Sequence, residues 1–297
     1  MRSEGIDVIR IDMGSPDLPP AKFIIDTLVE SAKCTDKHGY SPSGGTSQFR
    51  EAISVFYKRR FNVDLDPEND VLGLIGSKEG LFDLPIVLAN HGDVILIPDP
   101  GYPVYKSGAD FTGAEIHYMS LLAENNFLPD LDSIPPKIAY RAKLLWLNYP
   151  NNPTGAVATL EFFKKAVEFG KKYEVIIAHD APYSEVCFDG YNAPSILQID
   201  GAKDVVVEFN SLSKAYNMGG WRLGMAVGNP TVLSYLHIYK SQADNSHFAA
   251  TEAAGAMALT GDQSWIMERN DIYKNRRDIV LQAIRECGFT AETPKAT

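Results

Sequence analysis

Cysteine is nearly absent from this sequence of 297 residues: Cys34, Cys187 and Cys287 are the only three, far apart and in no CxxC pair. An odd, scattered set excludes a disulfide frame and a zinc site, so these thiols are expected to be buried or incidental in a reducing compartment. Long apolar runs are missing too. No stretch reaches the roughly 18 residues of a spanning helix, and the start, MRSEGIDVIRID, lacks a signal-peptide core. The chain therefore reads as a soluble, cytoplasmic protein with no membrane partner. Positive charge is in deficit, with Lys+Arg 28 against Asp+Glu 38 and a net charge of -10. That balance argues against a nucleic-acid surface but leaves room for a local basic pocket. Two phosphate-binding signatures are absent as well: neither the Walker pattern GxxxxGK[ST] nor the dinucleotide fingerprint GxGxxG is present. What remains is ordinary globular material, 45% hydrophobic and 22% charged, able to bury a core without staples.

Short, almost continuously apolar runs recur at Val71–Ile75, Val94–Pro98, Lys143–Asn148, Glu174–His179 and Val205–Phe209. Such runs are expected for strands covered on both faces. Helical patterns alternate with them at Ser47–Arg60, Leu160–Tyr173 and over one long stretch from about Thr231 to Cys287. The fold class is therefore α/β, a mostly parallel sheet sandwiched by helices, whose ligand crevice lies beyond the C-terminal ends of the strands. Five polar, Gly- or Pro-rich segments follow those ends: GSKEG (Gly76–Gly80), DPGYPVY (Asp99–Tyr105), YPNNPTG (Tyr149–Gly155), DAPYSE (Asp180–Glu185) and SLSKAYNMGGWRLG (Ser211–Gly224). Before them, GSPDLPP (Gly14–Pro20) reads as a turn-rich leading arm.

Each segment has a plain reading and a chemical one. Ser211-Leu212-Ser213-Lys214, taken alone, is more often a solvated loop lysine with a capping serine. With Arg222 eight residues on, it also fits a Schiff-base lysine beside a phosphate-binding fork. Asp180 at a strand mouth can cap the following turn, bind magnesium or face a heterocyclic cation, with Tyr183 turned to the same side. GSKEG is either a simple turn and helix cap or a cradle of backbone N–H groups for a phosphate. Tyr102 in PGYP is either a core tyrosine or a ring that stacks on a planar cofactor. Asn152 is either an Asx-turn residue or a donor to a phenolate oxygen. The segment KSQADNSHF (Lys240–Phe248) reads as a helix–loop junction, with a contribution to a pocket shared between subunits as the alternative.

NNPTG, the spacing from Asp180 through Tyr183 to Lys214, SLSK and the trailing Arg222, together with GSPD, YSPSGG, GSKEG and PDPGYPVY, resemble the class I/II aminotransferases over nearly the whole chain. These are fold-type I pyridoxal-phosphate enzymes. The wording GSKEG…PDPGYPVY is most similar to the branch that contains LL-diaminopimelate, alanine, aspartate and aromatic transaminases. The resemblance implies pyridoxal 5'-phosphate as cofactor, an amino acid and a 2-oxo acid as substrates in a ping-pong cycle of amino-acid biosynthesis, and a homodimer with shared sites. It implies that Lys214 holds the cofactor and shuttles the proton, that Asp180 keeps the pyridine nitrogen protonated, and that Tyr183 and Asn152 bond the phenolate oxygen. It further places Tyr102 on the ring, Ser77, Lys78, Ser211, Ser213 and Arg222 on the phosphate, Tyr40 on the phosphate of the neighbouring subunit, and Gly14 and Asn152 near the substrate.

The expected organisation is an arm and small-domain segment over 1–28, a large cofactor-binding α/β domain over 29–262 and the start of a small domain over 263–297. The likeness stops short at one place. The family's carboxylate-clamping arginine has no match in Arg276, Arg277 or Arg285, and the ending AETPKAT reads as a chain cut off before the small domain is complete. The same motifs serve any chemistry that starts with loss of the Cα proton, so a carbon–sulfur lyase or a cyclopropane-carboxylate synthase of this fold stays open. A regulator that borrowed the domain fits less well, because the segment before Gly14 is too short for a DNA-binding module. The amino donor is not legible.

Overall fold

The computed structural model describes residues 5–8 and 14–297. Residues 1–4 and 9–13 of the expected N-terminal arm lie outside the described residues. The strands are β1 (Val71–Ile75), β2 (Val94–Asp99), β3 (Glu115–Ser120), β4 (Ala142–Asn148), β5 (Ile176–Asp180), β6 (Val206–Ser211) and β7 (Leu223–Gly228). The helices are α1 (Lys22–Ala32), α2 (Ser47–Phe61), α3 (Ser77–Leu88), α4 (Pro103–Asp110), α5 (Pro136–Ala139), α6 (Leu160–Tyr173), α7 (Leu212–Ala215), α8 (Pro230–Ala243), α9 (Ala249–Thr260) and α10 (Ser264–Glu286). The strands form one sheet in the order β1-β7-β6-β5-β4-β2-β3. Only β7 runs against its neighbours, pairing antiparallel with both β1 and β6.

Each face of the sheet carries its own core. Phe49, Ile53, Phe56, Tyr57, Phe163, Val167 and Ile177 fill one side, under α2 and α6. Leu81, Leu84, Tyr105, Trp146, Phe209 and Leu236 fill the other, under α3, α4 and α8. Burial on both faces explains why the central strands read as unbroken apolar runs. Two strands escape that signal. β3 is a mostly exposed edge strand of sequence EIHYMS, and β7 is the glycine-flanked LGMAVG. The long helical stretch expected from Thr231 to Cys287 is three helices, broken at Asp244, whose Oδ1 accepts the Ser246 N–H, and at Gly261. Helix α1 crosses the division drawn at residue 28 and packs on α9. None of the three cysteines is fully buried: Cys34 and Cys287 are exposed and Cys187 is half-buried, all unpaired. No helix among the described residues is long and apolar enough to cross a membrane.

A carboxylate with no exposure, Glu208, ties β6 to its surroundings. It accepts bonds from Tyr57 Oη at 2.8 Å, Ser195 Oγ at 2.9 Å and the Ile196 N–H at 3.1 Å, and meets His179 Nδ1 at 2.9 Å. The other ring nitrogen of His179 meets the Tyr149 carbonyl at 3.0 Å. This fully bonded network fixes the strand position immediately before Asp180.

Candidate active site

The direction of β7 decides where the chemistry gathers. Ile75 faces Leu223, Ser211 faces Gly224 and Asn148 faces Asp180 across the sheet. The start of one antiparallel strand therefore lies at the same edge as the C-terminal ends of its neighbours. A cavity of about 720 Å³ opens there. Gly14, Ser77, Lys78, Tyr102, Asn152, Asp180, Tyr183, Ser211, Ser213, Lys214 and Arg222 all line it. Of the site residues expected from the sequence, only Tyr40 stands apart, 93% exposed on the loop before α2.

Asp180 is buried at the floor. Its Oδ2 accepts the Tyr105 hydroxyl at 2.7 Å, and Oδ1 has no partner among the described residues. Burial pushes this carboxyl up to about 6, with the Tyr105 bond and the nearby His179 working the other way. It does not cap the following turn. Tyr105 itself is held by stacking on Trp146, with ring centroids 4.7 Å apart. Asn148 Nδ2 donates to the Asp180 carbonyl at 2.8 Å, and Asn148 Oδ1 accepts the Asn152 N–H at 2.8 Å. The Asx-turn in this loop belongs to Asn151, whose Oδ1 accepts from the N–H of Thr154 at 3.1 Å and from its hydroxyl at 2.7 Å.

Lys214 sits half-buried in α7, and Ser211 caps that turn by accepting the Ser213 N–H at 3.2 Å. The Lys214 Nζ donates to the Gly14 carbonyl at 2.7 Å and lies 6.0 Å from the centre of the Tyr183 ring. Burial lowers its proton affinity and raises that of Tyr183 to about 12. From α10, the buried guanidinium of Arg269 donates to the carbonyls of Lys214, at 3.2 Å, and Ala215. It thereby closes the C-terminal end of α7. Arg276 forms a two-pronged pair with Asp17 at 2.7 and 3.1 Å. Both line an adjoining pocket of about 370 Å³ that shares Gly14, Asn152, Tyr183 and Lys214 with the main cavity.

The third wall is cationic. Gly76, with φ 72°, precedes α3, whose first N–H groups have no intrahelical acceptor. A Cβ at Gly76 would collide with the Arg222 guanidinium, and one at Gly224 would collide with the backbone at Ser77. Arg222 NH1 reaches Ser213 Oγ at 3.4 Å and the Gly219 carbonyl at 3.0 Å. Lys78 Nζ lies 5.6 Å from the centre of the Tyr102 ring. We expect Gly76→Ala to weaken cofactor affinity by at least about tenfold, because it forces a left-handed alanine and displaces Arg222. Fluorescence titration of the cofactor-free protein measures this; wild-type affinity would show that the close approach is dispensable.

These features fit pyridoxal phosphate. The cavity offers an unpaired buried carboxylate oxygen, the half-buried Lys214 amine, the Tyr102 ring and a cationic helix start, matching a pyridinium N–H, an aldehyde, an aromatic face and a phosphate. Sequence reasoning missed Tyr105, Asn148 and Arg269. Asn148, ending a buried strand in Asn-Tyr-Pro, carried a usable signal; Tyr105 and Arg269 look like ordinary helix residues.

The family model described as aminotransferase class I and II matches residues 6–297. The chain is 49% identical over 296 residues to the LL-diaminopimelate aminotransferase of Moorella thermoacetica, covering 100% of this chain and 76% of that protein. It is 47% identical over 286 residues to the enzyme of the same name from Aquifex aeolicus, with 96% and 74% covered. Among solved structures, BacF of Bacillus subtilis without ligand superposes with a TM-score of 0.96 at 38% identity, over 100% of this chain and 76% of that one. A probable N-succinyldiaminopimelate aminotransferase of Thermus thermophilus superposes at 0.92 with 35% identity, over 100% and 79%. A floor carboxylate waiting for a cation and a match along the whole chain lead to one conclusion: the chain belongs to the class I and II aminotransferases, enzymes that depend on pyridoxal phosphate.

Proposed function

We propose that this aminotransferase takes its amino group from LL-diaminopimelate and gives it to 2-oxoglutarate, as a cytoplasmic homodimer. For the substrate, the supporting fact is that relatives 44% to 49% identical along the chain carry the name LL-diaminopimelate aminotransferase. For the site, the observation that carries the reading is the unpaired, buried Oδ1 of Asp180 in a cavity that also holds the Lys214 amine.

The bound cofactor supplies an electron sink for the carbanion left when the substrate Cα loses its proton. Asp180 holds a proton on the ring nitrogen, and Tyr105 keeps that carboxylate in place. Tyr183 and Asn152 bond the phenolate oxygen, while Tyr102 covers the ring face. Ser77, Lys78, Ser211, Ser213 and Arg222 hold the phosphate at the start of α3. Lys214 would hold the cofactor through its aldehyde, and its free amine would take the proton from the substrate Cα; burial lowers the amine's proton affinity, as a general base requires. Gly14, whose carbonyl accepts the Lys214 amine, would lie beside the substrate carboxylate. In this reading residues 29–262 form the cofactor domain, flanked by an arm segment and by the small-domain segment 263–297. Exposed Tyr235, Ile238 and Tyr239 on α8 lie beside the Tyr40 loop, which Ser43 ties to His237 at 2.9 Å. That apolar face suits a second subunit, whose phosphate Tyr40 would reach.

The test is glutamate formation from 2-oxoglutarate with LL-diaminopimelate, alanine, aspartate and phenylalanine as alternative donors. Diaminopimelate is expected to give the highest kcat/KM. A higher value with another donor overturns the substrate assignment, and no glutamate from any donor overturns the reaction.

A further inference from the structure

Lys240 has no part in the site described so far, yet its side chain is wholly buried on α8. Its Nζ donates to Glu79 Oε1 at 2.8 Å and to Asp244 Oδ1 at 2.6 Å. Each carboxylate leads back to the phosphate wall. Glu79 lies in the first turn of α3, and its Oε2 accepts the N–H of Ile75, the residue before Gly76, at 2.6 Å. Asp244 accepts the Ser246 N–H at 2.7 Å and so forms the turn after α8. That turn places His247, whose Nε2 meets the Arg222 carbonyl at 2.6 Å. Ser246 Oγ and the Thr46 N–H both donate to Glu252, at 2.8 and 2.7 Å, which fastens the turn to the body of the protein.

One ammonium thus joins both halves of the phosphate wall from behind. A buried charge of this kind adds little net stability compared with an apolar side chain of similar size. Its geometry, by contrast, is directional at both ends. Arg222 needs the help, since its backbone stands in the left-handed region at φ 58°. Three carboxyls, Glu79, Asp83 and Asp244, crowd this spot; burial pushes Asp83 up to about 6 and raises Glu79 too, while Lys240 opposes both rises.

We propose that Lys240 is a positioning residue for the cofactor phosphate: through Glu79 and Asp244 it fixes the start of α3 and Arg222 relative to each other. This rests on the assignment of that wall to the phosphate. The cofactor-free protein, titrated with pyridoxal phosphate and with unphosphorylated pyridoxal, reads the effect directly. Lys240→Met is expected to weaken pyridoxal phosphate by about 10- to 100-fold, the loss of one or two charge-assisted bonds, and pyridoxal by less than about twofold. Glu79→Gln, which keeps an oxygen for the Ile75 N–H, is expected to shift the same ratio by roughly threefold or more. Circular dichroism checks the fold, and if Lys240→Met does not fold, Glu79→Gln decides. Equal weakening of both ligands, or of neither, overturns the proposal. Arg222→Ala is the reference: if it also leaves the ratio unchanged, the phosphate assignment itself is wrong; if it lowers the ratio while Lys240→Met and Glu79→Gln do not, only the positioning role falls.

Discussion

Lys214→Ala is expected to lower transamination by at least about 10⁴-fold, the upper range for loss of a general acid–base group, because the same substitution also removes the anchor of the aldehyde. Nothing else within the described cavity replaces the amine. Lys78 is exposed beside Tyr102, Arg222 faces Gly76, and a guanidinium does not give up a proton near neutral pH. Folding should be nearly unaffected, since the Lys214 side chain makes one hydrogen bond, to the Gly14 carbonyl. Rapid-mixing absorbance with diaminopimelate, beside a thermal melt, separates the two effects. Turnover within about a hundredfold of wild type would remove Lys214 from the proton-transfer role.

Asp180→Asn carries the second large effect. A buried carboxylate facing a ring cation is a pair that loses about 10²- to 10³-fold in rate when one partner is neutralised, and the phosphate wall is untouched. The variant is therefore expected to keep pyridoxal phosphate while losing most of its turnover. Without cofactor the sign reverses. The native carboxyl titrates at about 6 and its ordinary value is 3.8, so between these the native state holds a proton that the unfolded chain has released. Its contribution to stability is present below about 4 and is lost as pH rises through about 6, a loss on the order of 3 kcal/mol. Asparagine escapes that loss. The cofactor-free variant should gain on wild type in melting temperature from pH 4 to pH 7, and the advantage should vanish when cofactor is added. A constant difference across that range would mean that Asp180 is ionised in the empty site.

Much of this was legible in the residues, and the reasons differ by element. β1, β4, β5 and β6 could be read because two-sided burial makes their sequences continuously apolar. The five polar loops followed from the rule that ligands bind beyond strand ends, and ten expected side chains from them meet in one cavity as a result. β7 was hidden because its glycines permit close backbone approach, at Gly224 above all, rather than supplying side-chain pattern. Tyr105 was hidden because a tyrosine in PVY signals core packing, and only the fold shows its hydroxyl on Asp180. Lys240 was read as part of a helix–loop junction, which it is. Its burial could not be foreseen, because Asp244 is a local i,i+4 partner of an ordinary kind, whereas Glu79 is brought from the first turn of α3.

The Asp180 floor and the Gly14 side of the cavity come from different parts of the molecule. Strands β4 and β5 and the Trp146–Tyr105 stack carry the floor, whereas Gly14–Asp17 and Arg276 reach the cavity from outside the sheet. Changes of donor preference can therefore accumulate on the arm and α10 without detuning the electron-accepting end. A mutagenesis library aimed at new amino donors belongs on those two segments, and one spread over the strands would mostly return inactive clones.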